Sequence, residues 1–265
     1  MADELSGKIV LITGGSAGIG RAAARLFSDA GASVVLAARG VERGLQAERE
    51  LRAAGGDVLF LQTDVSQPEQ VQSLIAQIVE RFGRLDCAFN NAAVLSKLAR
   101  TGDFSEVDFD TEVSFNLKSV WLCMKYELEQ MQKQEPRGGA IVNTSSVNGL
   151  GGARYAALYS MSKAGILALT KSAAQEYAVD NIRVNALVAG GFDTEMLQNA
   201  ISQAVGGDQV KVEETIKGYA ARIPAGRIGK PEEAAQAALW LCGDASSYVT
   251  GQSLIVDGGL TSWAR

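Results

Sequence analysis

Seven short apolar runs set the limits on what this chain can become. They are KIVLITGG (8–15), SVVLAAR (33–39), DVLFLQTDV (57–65), LDCAFNNA (85–92), GAIVNTSS (139–146), IRVNALV (182–188) and SLIVDGG (253–259). Each is nearly continuous in aliphatic residues rather than alternating, which is the mark of a strand buried on both faces. Between them lie segments of helical spacing at 19–32, 41–56, 68–83, 105–134, 155–178 and 231–242. Pro68 opens one of these and Gly83 follows its end, the usual punctuation of a helix. Strict alternation of such strands and helices predicts an α/β fold with a doubly wound, mostly parallel seven-stranded sheet and helices on both faces. No linker-like shift of composition and no long-period repeat divides residues 1–265, so one domain is expected. Segment 192–222 departs from the alternation: it is long, polar and partly helical, and it follows the C-terminal end of a strand. A substrate lid is expected there.

Composition narrows the function. The chain is 47% hydrophobic and 21% charged with a net charge of −5, and no basic cluster stands against that acidity, so a nucleic-acid surface is not expected. No apolar run approaches the length needed to span a bilayer. The three cysteines, Cys87, Cys123 and Cys242, are far apart, odd in number and without a CxxC. They read as small buried hydrophobes in a reducing compartment rather than as disulfides or metal ligands. With an N-terminus that lacks a secretory pattern, this gives a cytoplasmic expectation. There is no histidine. Ser-His-Asp and Cys-His chemistry and most zinc sites fall away, no metal site is expected, and acid/base work near neutrality is left to Tyr, Lys, Cys or carboxylates.

TGGSAGIG (13–20) joins the first strand to the first helix. In that position glycines allow a tight turn and let a pyrophosphate approach the free N–H groups of the helix N-terminus. The expected fold is thus a single-domain Rossmann fold that binds a dinucleotide through Gly14, Ser16, Ala17, Gly18, Ile19 and Gly20. An acid at the end of the second strand would hold a free ribose 2′-hydroxyl. Ala38 stands there instead, and Arg39 follows. Loss of the acid and gain of a guanidinium favour NADP(H) over NAD(H).

RYAALYSMSK (154–163) places Tyr159 and Lys163 at i and i+4, on one helix face. A neighbouring ammonium stabilises a phenolate and brings a tyrosine toward acid/base duty. Tyr155 has Tyr159 at i+4 and no such cation. On the same helix, one turn earlier, it is expected at the substrate entrance.

These features together resemble the short-chain dehydrogenase/reductase family over nearly the whole chain. The resemblance rests on TGGSAGIG, Asp64–Val65, NNAA at 90–93, FNLKSV with Asn116, Ser146 thirteen residues before Tyr159, the Tyr159–Lys163 pair, and GQSLIVDGG. It implies a catalytic tetrad. Tyr159 would be the proton donor or acceptor and Lys163 would lower its pKa and bind the nicotinamide ribose. Ser146 would hold the substrate oxygen, leaving Ser145 structural, and Asn116 would hold a relay water. It also implies cofactor contacts from Asp64, Val65, Asn91, Ala92, Ala93, Gly190, Phe192 and Thr194. Two departures stand out. Ala93 replaces a family glycine, and Ala189-Gly190-Gly191 replaces a Pro-Gly, which should loosen the 192–222 segment.

The expected reaction interconverts a ketone or aldehyde and a secondary alcohol. Val94, Leu95, Asn148, Leu150, Tyr155, Phe192 and Met196 are the expected pocket walls. A 3-oxoacyl-carrier-protein reductase is the alternative. Such an enzyme wants a basic entrance, whereas Lys211, Lys217 and Arg222 are here mixed with Asp208, Glu213 and Glu214. A cofactor-sensing protein on the same fold is a third reading, disfavoured by the complete tetrad. Members of the family commonly form tetramers through the 105–134 and 155–178 helices and the last strand, so a homotetramer or homodimer is expected.

Overall fold

The computed structural model describes residues 4–262. Among these, seven strands form one sheet: β1 Ile9–Thr13, β2 Ser33–Ala38, β3 Val58–Gln62, β4 Cys87–Asn90, β5 Gly139–Ser146, β6 Ile182–Ala189 and β7 Ser253–Val256. Their order is β3-β2-β1-β4-β5-β6-β7, and every pairing is parallel. Parallel neighbours need crossover connections, and the helices supply them: α1 Gly18–Asp29, α2 Val41–Ala53, α3 Pro68–Phe82, α4 Glu106–Glu112, α5 Ser119–Lys133, the short α6 Asn148–Gly151, α7 Ala157–Tyr177, α8 Glu195–Ala204, α9 Gln209–Arg222 and α10 Pro231–Cys242.

The continuous apolar strands are buried on both faces, as their composition requires. One face packs α1, α2 and α10 through residues such as Phe27, Leu51 and Ala238. The other packs α3, α5 and α7 through Leu74, Met131 and Ile166. Each such side chain taken fully from water contributes about 1.5–3 kcal/mol. Strand order reverses between β1 and β4, and at that switch point a crevice opens beyond the C-terminal strand ends.

Two expectations are corrected here. Cys87, which begins β4, and Cys242, which ends α10, are joined as a disulfide across a Cα separation of 6.0 Å. They lie 155 residues apart, so spacing carried no sign of it. Only the stacking of α10 on the sheet brings them together, and the cysteine pattern no longer argues for a reducing compartment. Cys123 is free and buried. Second, the expected helix at 155–178 begins at Ala157, because Tyr155 sits at φ 66°, in the left-handed region that interrupts a right-handed helix.

Below the sheet surface runs a buried polar ladder. Asn90 Nδ2 donates to Glu127 Oε2 at 2.9 Å and to Asn143 Oδ1 at 3.1 Å, and Asn143 Nδ2 donates to Thr170 Oγ1 at 3.0 Å. Burial pushes the Glu127 carboxyl up to about 8 from its ordinary 4.5, against the opposing pull of the Asn90 hydrogen bond. The unfolded chain releases that proton near the ordinary value and the folded chain keeps it. Folding therefore takes up a proton between those limits, and stability falls with rising pH across them by up to about 1.4 kcal/mol per pH unit. Glu127→Gln is expected to flatten the decline in melting temperature between about pH 5 and pH 8. A wild-type melting temperature that stays level over that range would contradict this.

Candidate active site

The crevice is a cleft of about 660 Å³. Its floor is formed where β1, β2, β4, β5 and β6 end, and α8 and α9 form one wall through Thr194, Glu195, Met196, Leu197, Ala200 and Tyr219.

At the glycine end, Gly14 adopts φ 68°, and a Cβ there would come within 3.0 Å of the Ala92 Cα. Thr13 Oγ1 accepts from the backbone N–H groups of Asn91 and Ala92 at 3.0 and 3.1 Å, which ties the two loops together. Ser16, Ala17, Gly18 and Ile19 line the cleft. Gly20 does not. A Cβ at Gly20 would lie 2.3 Å from the Gly14 carbonyl oxygen, so its role is to let α1 close on the loop rather than to meet a ligand. Ala17 caps α1 without a side-chain hydrogen bond, which leaves the first N–H groups for an anion. This bare N-terminus with its glycine cradle fits a dinucleotide pyrophosphate.

Farther along, Ala38, Arg39, Thr63, Asp64 and Val65 line the cleft together. Asp64 Oδ1 is held by Ser66, accepting from its N–H at 3.0 Å and its hydroxyl at 2.7 Å. The Arg39 guanidinium lies 5.5 Å over the Phe115 ring. Arg43, one turn into α2, lines the same end and pairs with Glu195 of α8 at 2.8 Å, an exposed ion pair of small energetic weight. Nothing in the sequence marks Arg43 as a second cation at this end; the β2–α2 junction at Gly40 brings it there.

The opposite end gathers Ser146, Tyr159 and Lys163. β5 delivers Ser145 and Ser146, and α7 delivers Tyr159 and Lys163. Ser145 Oγ donates to the Lys163 carbonyl at 2.8 Å, a structural tie, whereas Ser146 lines the cleft and is hydrogen-bonded to the Tyr159 hydroxyl. The Lys163 ammonium donates to the Thr144 carbonyl at 3.1 Å and lies 5.6 Å from the centre of the Tyr159 ring. Burial dominates both groups. It pushes the Tyr159 phenol up to about 12, against the Ser146 hydrogen bond and aided by the Glu112 charge. It pulls Lys163 down to about 8, with Glu112 opposing. In this arrangement the Lys163 amine is turned to the Thr144 carbonyl and burial leads at the phenol.

Asn116 is wholly buried and does not line the cleft. It sits in a π-helical segment, Val113–Lys118, between α4 and α5. Its Oδ1 accepts from the Val94 N–H at 2.9 Å, and its Nδ2 donates to the Val94 carbonyl at 3.2 Å and to Glu112 Oε1 at 2.9 Å. The side chain is engaged in holding the 94–96 loop.

Asn91, Ala92, Ala93, Val94, Leu95, Asn148, Gly190, Phe192, Thr194 and Met196 all line the cleft. Leu150 and Tyr155 do not. Leu150 is 43% exposed on α6. Tyr155, in its left-handed conformation, turns its ring beneath the Arg154 guanidinium 4.7 Å away, while its carbonyl accepts from the Ala99 N–H. Its part is to pin the 94–99 loop to the start of α7. At Gly191 a Cβ would meet the Tyr219 ring at 2.2 Å. The glycine makes room for α9 to seat on the strand end.

A family profile described as Enoyl-(Acyl carrier protein) reductase matches residues 14–261. The chain is 40% identical over 260 residues to 2,5-dichloro-2,5-cyclohexadiene-1,4-diol dehydrogenase of Sphingobium indicum, covering 98% of this chain and 99% of the relative. The chain belongs to the short-chain dehydrogenase/reductase family. It is also 38% identical over 257 residues to a 3-oxoacyl-acyl-carrier-protein reductase of Thermotoga maritima, covering 97% of this chain and 99% of that one. A crystal structure of actinorhodin polyketide ketoreductase with NADPH superposes with a TM-score of 0.92 at 34% identity, over 99% of this chain and all of the other. As a member of this family, the protein is an oxidoreductase of CH–OH and C=O groups that uses a nicotinamide dinucleotide. No helix among the described residues is long and apolar enough to cross a membrane.

Proposed function

We propose that this short-chain dehydrogenase/reductase interconverts a ketone and a secondary alcohol with NADP(H), using Tyr159 as the acid/base. The observation that carries the reading is the Tyr159 phenol at the cleft, bonded to Ser146 and beside Lys163. The nicotinamide, when bound, supplies or accepts the hydride. The chain positions the rest. Ser146 orients the substrate oxygen, and Tyr159, held protonated by burial, donates to that oxygen as it gains charge in reduction. In oxidation the phenolate takes the proton back. Lys163 would steady the phenolate and bind the ribose, and Asn116 holds the 94–96 loop in place.

Gly14, Ser16, Ala17, Gly18 and Ile19 would hold the pyrophosphate, Asp64 and Val65 the adenine side, and Ala92, Ala93, Gly190, Phe192 and Thr194 the nicotinamide side. The absence of an acid at Ala38 and the presence of Arg39 and Arg43 at the same end support a 2′-phosphate. The wall of Val94, Leu95, Phe192 and Met196 is mostly apolar and suits a medium-sized hydrophobic ketone. Helices α8 and α9 act as the lid. Exposed Val107, Phe109 and Trp121 on α4 and α5 suit a homotetramer or homodimer contact.

A carrier-protein substrate is the weaker reading. The charges of α9 are mixed, and Lys211 is itself drawn to Asp208 at 3.5 Å. The test is a panel of ketones and secondary alcohols with both cofactors. Cyclic and aromatic ketones are expected to turn over, with NADPH favoured by about tenfold or more in kcat/KM. Preference for NADH by the same factor would overturn the cofactor assignment.

A further inference from the structure

Glu112 ends α4 and is 5% exposed. Among the described residues it forms no ion pair, and the hydrogen bonds it receives come from neutral donors. Its Oε1 accepts from Asn116 Nδ2 at 2.9 Å and from Ser162 Oγ at 2.7 Å, and its Oε2 accepts from Ser96 Oγ. These three donors come from the π-helical segment, from the residue before Lys163, and from the loop that lines the cleft. A buried anion without a cation against it is costly. Here it joins the three structural units that build the chemical end.

We infer that Glu112 is a positioning residue of the site, fixing Asn116, Ser162 and the Ser96 loop in one network and setting its carboxylate beside the Tyr159–Lys163 pair. That charge favours the ammonium of Lys163 against its burial and disfavours the phenolate of Tyr159. It keeps the cation charged and the proton donor loaded, which suits carbonyl reduction. On α4, Asp108 is bonded to Lys97 of the loop at 2.7 Å, and Asp110 is exposed. Lys118 of the π-helical segment is exposed, and on α7 the titratable neighbours are Tyr159 and Lys163 themselves.

The inference rests on Tyr159 as the proton donor, and the experiment separates the two. In Glu112→Gln, which keeps shape and loses charge, both pKa values should fall. The pH at which NADPH-dependent ketone reduction declines on the alkaline side should move down by about one unit, while KM for NADPH stays close to wild type. Ser162→Ala, which keeps the charge, should leave that limb in place. If Glu112→Gln does not fold, Glu112→Asp retains the charge and should keep the wild-type limb; a limb displaced by a full unit would overturn the inference. So would an unmoved or upward-moved limb in Glu112→Gln, or an equal displacement in Ser162→Ala. Should Tyr159→Phe retain full activity, the functional reading itself fails. An inactive Tyr159→Phe with an unmoved Glu112→Gln limb defeats this inference alone.

Discussion

Tyr159→Phe is expected to lower kcat for ketone reduction by roughly 10²–10⁴-fold, the usual worth of a positioned acid. The substitution removes one oxygen and leaves the ring. That oxygen has Ser146 as its hydrogen-bond partner, and Ser146 keeps the Asn148 N–H at 3.2 Å, so no backbone support is lost. The fold should therefore stand, and NADPH binding, followed by cofactor fluorescence, should change by less than about threefold. A variant that keeps its kcat within tenfold of wild type would show that another group moves the proton. With no histidine in the chain, few replacements are at hand.

The second large effect concerns the cofactor. Arg39→Ala should reduce the NADPH-to-NADH ratio of kcat/KM by about 10–100-fold, the range of a hydrogen bond to a charged group. The loss should fall on NADPH and leave NADH nearly untouched. In the free protein Arg39 rests on the Phe115 ring, so removing it exposes a ring face but breaks no ion pair of the fold. Arg43 differs, since Glu195 holds it. The residual preference in Arg39→Ala should therefore be small and sensitive to salt. Equal losses with both cofactors would assign Arg39 to general stability instead.

The strands were legible because burial on both faces forces continuous apolar runs, and each of the seven appears where its run lies. The glycine loop was legible because backbone crowding at Gly14 and Gly20 tolerates nothing larger. Other features depend on which elements happen to stack. Cys87 and Cys242 meet only through the packing of α10 on β4. Tyr155 looked helical by spacing, yet one positive φ turned it out of the cleft. Glu112 reads in sequence as one more acid on a surface helix. Its burial follows from the π-helical segment after it, whose wider turn is invisible to a 3.6-residue count.

Gly191 and Tyr219 bear on how such an enzyme can change its preferences. The tyrosine faces the cleft and also occupies the space a side chain at 191 would need. Any library that varies α9 for new substrates while holding 191 fixed, or the reverse, samples mostly unseated helices. Larger residues at 191 become accessible only after 219 has shrunk. The two positions are one unit of inheritance, and the order in which they mutate decides which substrates the lineage can reach.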